Sequence, residues 1–257
     1  MTSRIQRFRD LHQTGLFVMP NPWDLGTARL LAARGFQALA TTSWGLAFSL
    51  GRSDYQVTRD ELVAHTAEIA GAVDLPINVD AERLFPNEKG GIAATVRMLA
   101  EAGAAGCSIE DSIPADRTID PIEVATEAVA IAAEAARESG LVLTARAENA
   151  FYGIADLDDT IARLQAYVAA GAEVAYAPGL TDPVEIGRVV SEVPAAINVL
   201  TRANVPSITE LAALGARRVS TGGGLCRIAI AAVEKAIDDL LGGSEPLLRG
   251  FPRPEAE

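Results

Sequence analysis

Positive charge, cysteine, lysine and histidine are all scarce in this 257-residue chain. Its 34 acidic residues face 22 lysines and arginines, for a formal charge of −12. That balance opposes binding to nucleic acid or to an anionic membrane surface and points to a small-molecule role. Two scattered cysteines, Cys107 in an expected strand and Cys226 at an expected helix start, cannot build a disulfide framework and suit a reducing compartment. The two lysines fall in an expected loop (Lys89) and in the expected last helix (Lys235), so no strand end offers the desolvated amine that a Schiff-base aldolase needs. His12 and His65 are expected in helical, polar surroundings away from strand ends, which argues against imidazole catalysis and a histidine zinc site. No apolar run reaches membrane-spanning length, and the opening stretch Met1 to Phe8 lacks the apolar centre of a signal peptide. A cytoplasmic protein that meets no membrane is therefore expected. After the first expected strand stands Pro20-Asn21-Pro22-Trp23-Asp24 instead of a glycine-rich nucleotide fingerprint, which removes a Rossmann reading.

What the chain does have is a rhythm. With 49% hydrophobic residues it can bury one barrel-sized core. Four segments share an alanine-rich helix end, a glycine and then an apolar strand, with Gly35, Gly103, Gly171 and Gly215 at the joints. Adding the other short apolar runs gives eight strands: 16–20, 38–42, 76–80, 106–110, 141–146, 174–178, 196–200 and 217–221. They read as nearly continuous hydrophobic stretches, as parallel strands buried on both faces do. Amphipathic helices lie between them, among them 61–72, 92–102, 122–138 and 157–170. Eight alternations in this length predict a single (β/α)₈ TIM-type barrel domain over 1–257. A short helix leads into it, and an extended C-terminal tail occupies 244–257, with Pro246, Pro252 and Pro254. Leu247, Leu248 and Phe251 in that tail pack either on a partner subunit or on their own barrel.

Reactive groups of such a barrel sit where the strands end. The second strand ends in Ser43-Trp44-Gly45-Leu46, with Asp54 in the loop beyond, and the third in Asp80-Ala81-Glu82. The fourth ends in Glu110-Asp111 and the fifth in Arg146-Ala147-Glu148. Asn198 lies near the seventh exit, and Gly222-Gly223-Gly224 and Arg227 follow the eighth. Alternation lets Asp80 and Glu82 share one side, with Glu110 reaching toward them from the next strand. Three converging carboxylates either hold a hard divalent cation or form rim salt bridges. Arg146 is either a fork for a substrate carboxylate or an ion-pair partner of Glu148 or Glu110. The main-chain N–H groups of Ser43 to Leu46 either cradle an anion or form a plain turn, and the three glycines either bind phosphate or do the same.

At these residues the chain resembles the isocitrate lyase and phosphoenolpyruvate mutase superfamily over nearly its whole length. Thr42-Ser43-Trp44-Gly45-Leu46 is similar to that family's Ser-Gly-Leu carboxylate loop, and Leu50-Gly51-Arg52-Ser53-Asp54 to its Leu-Gly-x-x-Asp. Val79-Asp80-Ala81-Glu82, Ser108-Ile109-Glu110-Asp111 and Thr144-Ala145-Arg146 resemble its Val-Asp-Ala-Asp, Ile-Glu-Asp and Ile-Ala-Arg. The resemblance implies Mg²⁺, or Mn²⁺ in its place, held by Asp80 with Glu82 and Glu110 acting partly through water. It also implies a pyruvate-like moiety gripped by Arg146 and the Ser43, Trp44, Gly45 and Leu46 loop, and Asp54 near the reacting bond. Asn198 and Arg227 match family positions near the substrate, and the implied assembly is a homotetramer of helix-swapped dimers. One departure matters: the family's carbon–carbon lyases carry a cysteine on a mobile loop after Glu-Asp, whereas 112–121 contains no cysteine, lysine or histidine. That argues against isocitrate or methylisocitrate cleavage. The glutamate that the lyases place after the sixth strand is also replaced here, by Tyr176-Ala177-Pro178-Gly179.

The expectation is therefore a Mg²⁺-dependent lyase or hydrolase acting on a small, oxaloacetate-like 2-oxo carboxylate through an enolate. Phosphonopyruvate or phosphoenolpyruvate P–C bond chemistry is the alternative, and a barrel that binds 2-oxo acids without turning them over is the rival from another class. Trp44, Phe48, Phe85, Tyr152 and Tyr176 are the candidate specificity side chains.

Overall fold

The computed structural model describes residues 3–243, so the tail expected at 244–257 lies outside the described residues. Eight parallel strands form one sheet: β1 (Phe17–Met19), β2 (Leu39–Ala40), β3 (Ile77–Val79), β4 (Gly106–Glu110), β7 (Val142–Arg146), β8 (Val174–Tyr176), β9 (Ala196–Leu200) and β10 (Arg218–Ser220). Each falls inside one of the expected runs. The order β1-β10-β9-β8-β7-β4-β3-β2 curls the sheet into a nearly closed barrel. At the seam between β1 and β2, Ala40 N–H donates to Pro20 O at 3.1 Å. Asn21 reinforces this point. Its Oδ1 accepts from the N–H groups of Thr221 and Gly222, both at 2.9 Å, while its Nδ2 donates to Thr41 O at 2.7 Å.

Around the barrel run α2 (Leu25–Ala33), α4 (Arg59–Ala72), α5 (Gly91–Glu101), α6 (Ile122–Ser139), α7 (Leu157–Ala169), α8 (Pro183–Glu192), α9 (Ile208–Leu214) and α10 (Gly224–Leu241). The helix ends follow local chemistry. Thr58 with Glu61 and Ser207 with Glu210 form reciprocal capping boxes that start α4 and α9. At the joint after α7, Gly171 has φ +114°, and an added Cβ would stand 2.9 Å from Ala133 Cβ, so only glycine can make that turn. The leading helix α1 (Arg4–Leu11) lies across the barrel floor with Phe8 fully buried. No described helix is long and apolar enough to cross a membrane.

Three elements depart from the expectation. Ser43–Ser49 form a helix, α3, capped by Thr42, in place of a turn. The segment after Glu110 makes a small antiparallel hairpin of β5 (Ser112–Ile113) and β6 (Thr118–Ile119), and Asn149–Tyr152 form a 3₁₀ turn. The two histidines are not in polar surroundings: both are buried, His12 with its ring edge-on to Phe8 and Phe17, and His65 with Nε2 unpartnered inside α4. Both sit on the inward face of their helices, where burial lowers their pKa values, His12 to about 3.

The strands are buried on both faces, but the faces differ in kind. Cys107, Ile109, Leu143, Ala145, Ile197, Val199 and Val219 pack outward with the helices in the main hydrophobic cluster. The alternate residues point into the barrel, where Ser108, Thr144, Asn198, Arg218 and Ser220 make a polar interior. We expect Gly171→Ala to destabilise the fold by about 1–3 kcal/mol, read as a lower urea midpoint at unchanged slope.

Candidate active site

At the strand exits Arg146 stands among three carboxylates. Its NH1 lies 2.8 Å from Asp80 Oδ1, its Nε 2.7 Å from Glu148 Oε1 and its NH2 3.2 Å from Glu110 Oε2. The ring of Tyr176 lies under the guanidinium, 5.3 Å from Cζ to centroid. Burial works against this charge, but Glu148, Glu110 and Asp80 outweigh it and hold Arg146 well above the ordinary arginine range. The end of β7 thus delivers the cation to the ends of β3 and β4, because Glu110 and Arg146 are register partners.

Each carboxylate is fixed from behind. Asp80 Oδ2 accepts from Ser43 N at 3.0 Å and Ser43 Oγ at 3.1 Å, which places the start of α3 over the site. Glu110 Oε1 accepts from Tyr55 OH at 2.6 Å and Ser112 Oγ at 2.7 Å. Glu148 N–H donates to Asp111 Oδ1 at 2.9 Å, and the other oxygen of Asp111 takes bonds from Tyr167 OH at 2.6 Å and Arg163 NH1 at 3.1 Å.

Asp54 and Glu82 are the unsettled members of the cluster. Burial, then the charges of Asp80 and Glu110, push Asp54 up to about 6, and its Oδ1 is buried without a partner. Burial, then Glu110, Asp80 and Asp54, push Glu82 up to about 8. Glu82 has φ +49°, so the backbone has left strand geometry there and the simple alternation with Asp80 does not apply. Even so, its carboxylate feels the same negative field.

The cavity above this cluster has a volume of about 540 Å³ and extends to Trp44, Tyr152, Asn198 and the glycine run Gly222 to Gly224. Of the expected main-chain cradle, Ser43 N–H goes to Asp80, Gly45 N–H to Thr42 Oγ1 and Leu46 N–H to Thr42 O. Gly45 is there for packing, since a Cβ would meet Thr42 Cγ2 and Trp23 Cβ at 2.7 Å, and Leu46 is buried in the core. Arg227 lies over the Trp44 ring at 3.7 Å, and Trp44 stacks on Phe48. The Asn198 amide is used within the barrel, by Ser220 and Arg218. Phe85 packs against the outer core and does not line the cavity. Tyr55 and Arg218 were not singled out in the sequence, although Tyr55 adjoins Asp54 and Arg218 is a charge inside an apolar strand, while Glu148 takes the place of the ion-pair partner that the sequence offered for Arg146.

Comparison with known proteins accords with this geometry. The family model described as phosphoenolpyruvate phosphomutase matches residues 8–241. The chain belongs to that family, within the isocitrate lyase and phosphoenolpyruvate mutase superfamily. An uncharacterized protein of Mycobacterium tuberculosis H37Rv is 37% identical over 220 residues, covering 84% of this chain and 81% of that one. A Corynebacterium glutamicum protein provisionally assigned as 2-methylisocitrate lyase 2 is 30% identical, covering 86% and 75%. Among solved structures, a provisionally assigned lyase/mutase of Burkholderia cenocepacia J2315 is 48% identical at a TM-score of 0.89, covering 92% and 88%. At 22% identity, phosphonopyruvate hydrolase with oxalate and Mg²⁺ (TM-score 0.85, covering 98% and 92%) and oxaloacetate acetylhydrolase with oxalate (TM-score 0.86, covering 97% and 91%) share the fold. Relatives at 30% identity or more include a lyase and a phosphorylmutase, and the chain is an enzyme of that superfamily's C–C or P–C bond chemistry.

The carboxylates fit a hard divalent cation. Asp54 and Glu82 are driven toward protonation by burial and then by the neighbouring carboxylates, and a cation among them would relieve that repulsion. Among the described residues no three His, Cys, Asp or Glu side chains form a ready ligand cage. Mg²⁺ does not require one, because it keeps several waters and takes one or two carboxylates. For Glu82 the raised pKa has a defined sign. A carboxyl whose folded pKa exceeds its unfolded value costs nothing below about pH 4.5 and destabilises increasingly as pH rises toward 8. In chelator-treated protein, therefore, Tm should fall from pH 5 to pH 8, and Glu82→Gln should flatten that slope. An equal slope in the variant would contradict the assignment.

Proposed function

We propose that this enzyme is a divalent-cation-dependent lyase or hydrolase that cleaves a small, oxaloacetate-like 2-oxo carboxylate. The observation that carries the reading is Arg146 beside Asp80 and Glu110 in the wall of the cavity, together with a following segment, 112–121, that offers no cysteine, lysine or histidine. Asp80, with Glu82 and Glu110, would hold Mg²⁺ or Mn²⁺. When bound, the cation supplies Lewis-acid stabilisation of the negative charge that develops as the bond at C3 breaks.

The protein's own residues do the rest. Arg146 is anchored by its two short contacts and presents NH2, whose 3.2 Å contact to Glu110 is the longest of the three, to the substrate carboxylate. Ser43, on the first turn of α3, orients Asp80 through both its N–H and its hydroxyl. Asp54, with a pKa near 6, can hold a proton on Oδ1 or release it close to neutral pH, which suits a group that exchanges protons with the reacting carbon or a water. Trp44, Asn198 and Arg227 line the cavity, and Gly45 and Leu46 pack the α3 segment behind Trp44.

Phosphonate chemistry is the second reading, and one observation favours it. Arg202 and Arg227 line the same cavity with aromatic partners and, among the described residues, no carboxylate partner, which would suit a dianionic group. For assembly, we infer a homotetramer of helix-swapped dimers. Along α10 only Cys226 is buried, while Ile228, Val233, Ile237, Leu240 and Leu241 are exposed at helical spacing.

Two measurements test these readings. Pyruvate or oxalate release from a panel of 2-oxo and phosphono acids, with and without Mg²⁺, should show cation-dependent turnover of at least one acid. Asp80→Ala should abolish it, and Arg146→Gln should lower kcat/KM by roughly 30- to 1,000-fold, about 2–4 kcal/mol. Cation-independent turnover, or full activity of Asp80→Ala, would overturn the mechanism, and tight binding without turnover would leave a binding protein. Light scattering should give four times the chain mass, and a monomer would refute the assembly.

A further inference from the structure

One layer below Arg146 a second arginine is buried, with no counter-charge. Arg218 enters the barrel interior from β10 and is 1% exposed. Its Nε donates to Asn198 Oδ1 at 2.9 Å and its NH2 to Thr144 Oγ1 at 3.0 Å, and its NH1 lies 3.3 Å from His12 Nε2. His12 Nδ1 is 2.8 Å from Phe8 O, so it carries the proton and leaves Nε2 as a neutral acceptor for Arg218. Burial, then Arg218 itself, holds that imidazole neutral down to about pH 3. All three partners are uncharged, and among the described residues no carboxylate comes within ion-pairing distance of this guanidinium. Three of its five N–H donors are used and two are not.

Asn78 of β3 lines the same cavity and is 4% exposed, its amide makes no hydrogen bond, and its Oδ1 is buried without a partner. Thr144, Asn198 and Ser220 complete a polar shaft that opens upward into the candidate active site. Water could satisfy hydrogen bonds in such a shaft but cannot neutralise a charge held in a low-dielectric interior. Most arginines of this chain have a carboxylate partner, whereas this one, the most buried of them, has been given only neutral ones.

We propose that the barrel shaft is a second anion site, in which Arg218 and Asn78 hold one small monovalent anion, a halide-sized ion or a single carboxylate group. The site shares the cavity of the Arg146 cluster but is built on other residues, and it does not depend on the reaction assigned to that cluster. The anion neutralises Arg218, and the free Asn78 amide turns its NH₂ toward it.

Anomalous diffraction from crystals of the full chain soaked in sodium bromide should show a peak within hydrogen-bonding distance of the Arg218 guanidinium. In solution, at equal ionic strength, Tm in bromide should exceed Tm in gluconate by roughly 3–6 °C at ten times the dissociation constant. Arg218→Met, which keeps the volume and removes the charge, should abolish that difference. Ordered water alone at Arg218, or a bromide effect that persists in the variant, would overturn the proposal. If the variant fails to fold, the anomalous map of the unaltered protein decides. Co-soaking with succinate distinguishes the two sources: loss of the bromide peak identifies a carboxylate end, and its retention a free inorganic ion.

Discussion

The pairing of Arg146 with Asp80, Glu110 and Glu148 is the interaction on which the rest of the site depends. Three acids at the exits of β3, β4 and β7 share one guanidinium, so none can move without releasing charge into a poorly solvated space. The same contacts reach outward through hydrogen bonds. Asp80 carries the start of α3, Glu110 carries the Tyr55 loop, and Glu148 is braced by Asp111, which leans on Arg163 and Tyr167 of α7. A single cation thereby sets the geometry of three strands, two helices and a loop.

This polar centre is tolerable because stability comes from elsewhere. The outward faces of the strands supply the apolar contact with the helices, while the inner faces carry hydroxyls, amides and charge. In many barrels branched aliphatic side chains fill the interior in layers. Here such packing is confined to the floor, where Phe8, Phe17, Met19, Val142 and Val174 cluster beneath α1. Above that floor the interior is lined by polar side chains.

Much of this was legible in the chain. The glycine joints and apolar runs placed all eight strands, since a helix stop followed by a buried strand leaves a local signature, and the acids and Arg146 stood at strand exits as expected. The direct grip of Arg146 on Asp80 was not legible, because it depends on register between β3, β4 and β7. Nor was the helical form of Ser43–Ser49, which the Thr42 cap and the close packing of Gly45 against Trp23 decide. His12 and His65 looked polar by composition but face inward. Adjacent Arg217 and Arg218 could not be sorted by pattern, since alternation sends one in and the other out and either choice buries a strand neighbour.

The Asn21 staple at the seam makes the mouth and the ring one object. Its partners Thr221 and Gly222 also line the cavity, so the loop that greets a ligand there is the same loop that completes the circle of strands. Substitution on that flank would therefore disturb the ring itself, whereas across the way the outer residues of 113–119 and 149–154 hang from finished strands. A lineage exploring new acids on this scaffold would rewrite one half of the rim and inherit the other.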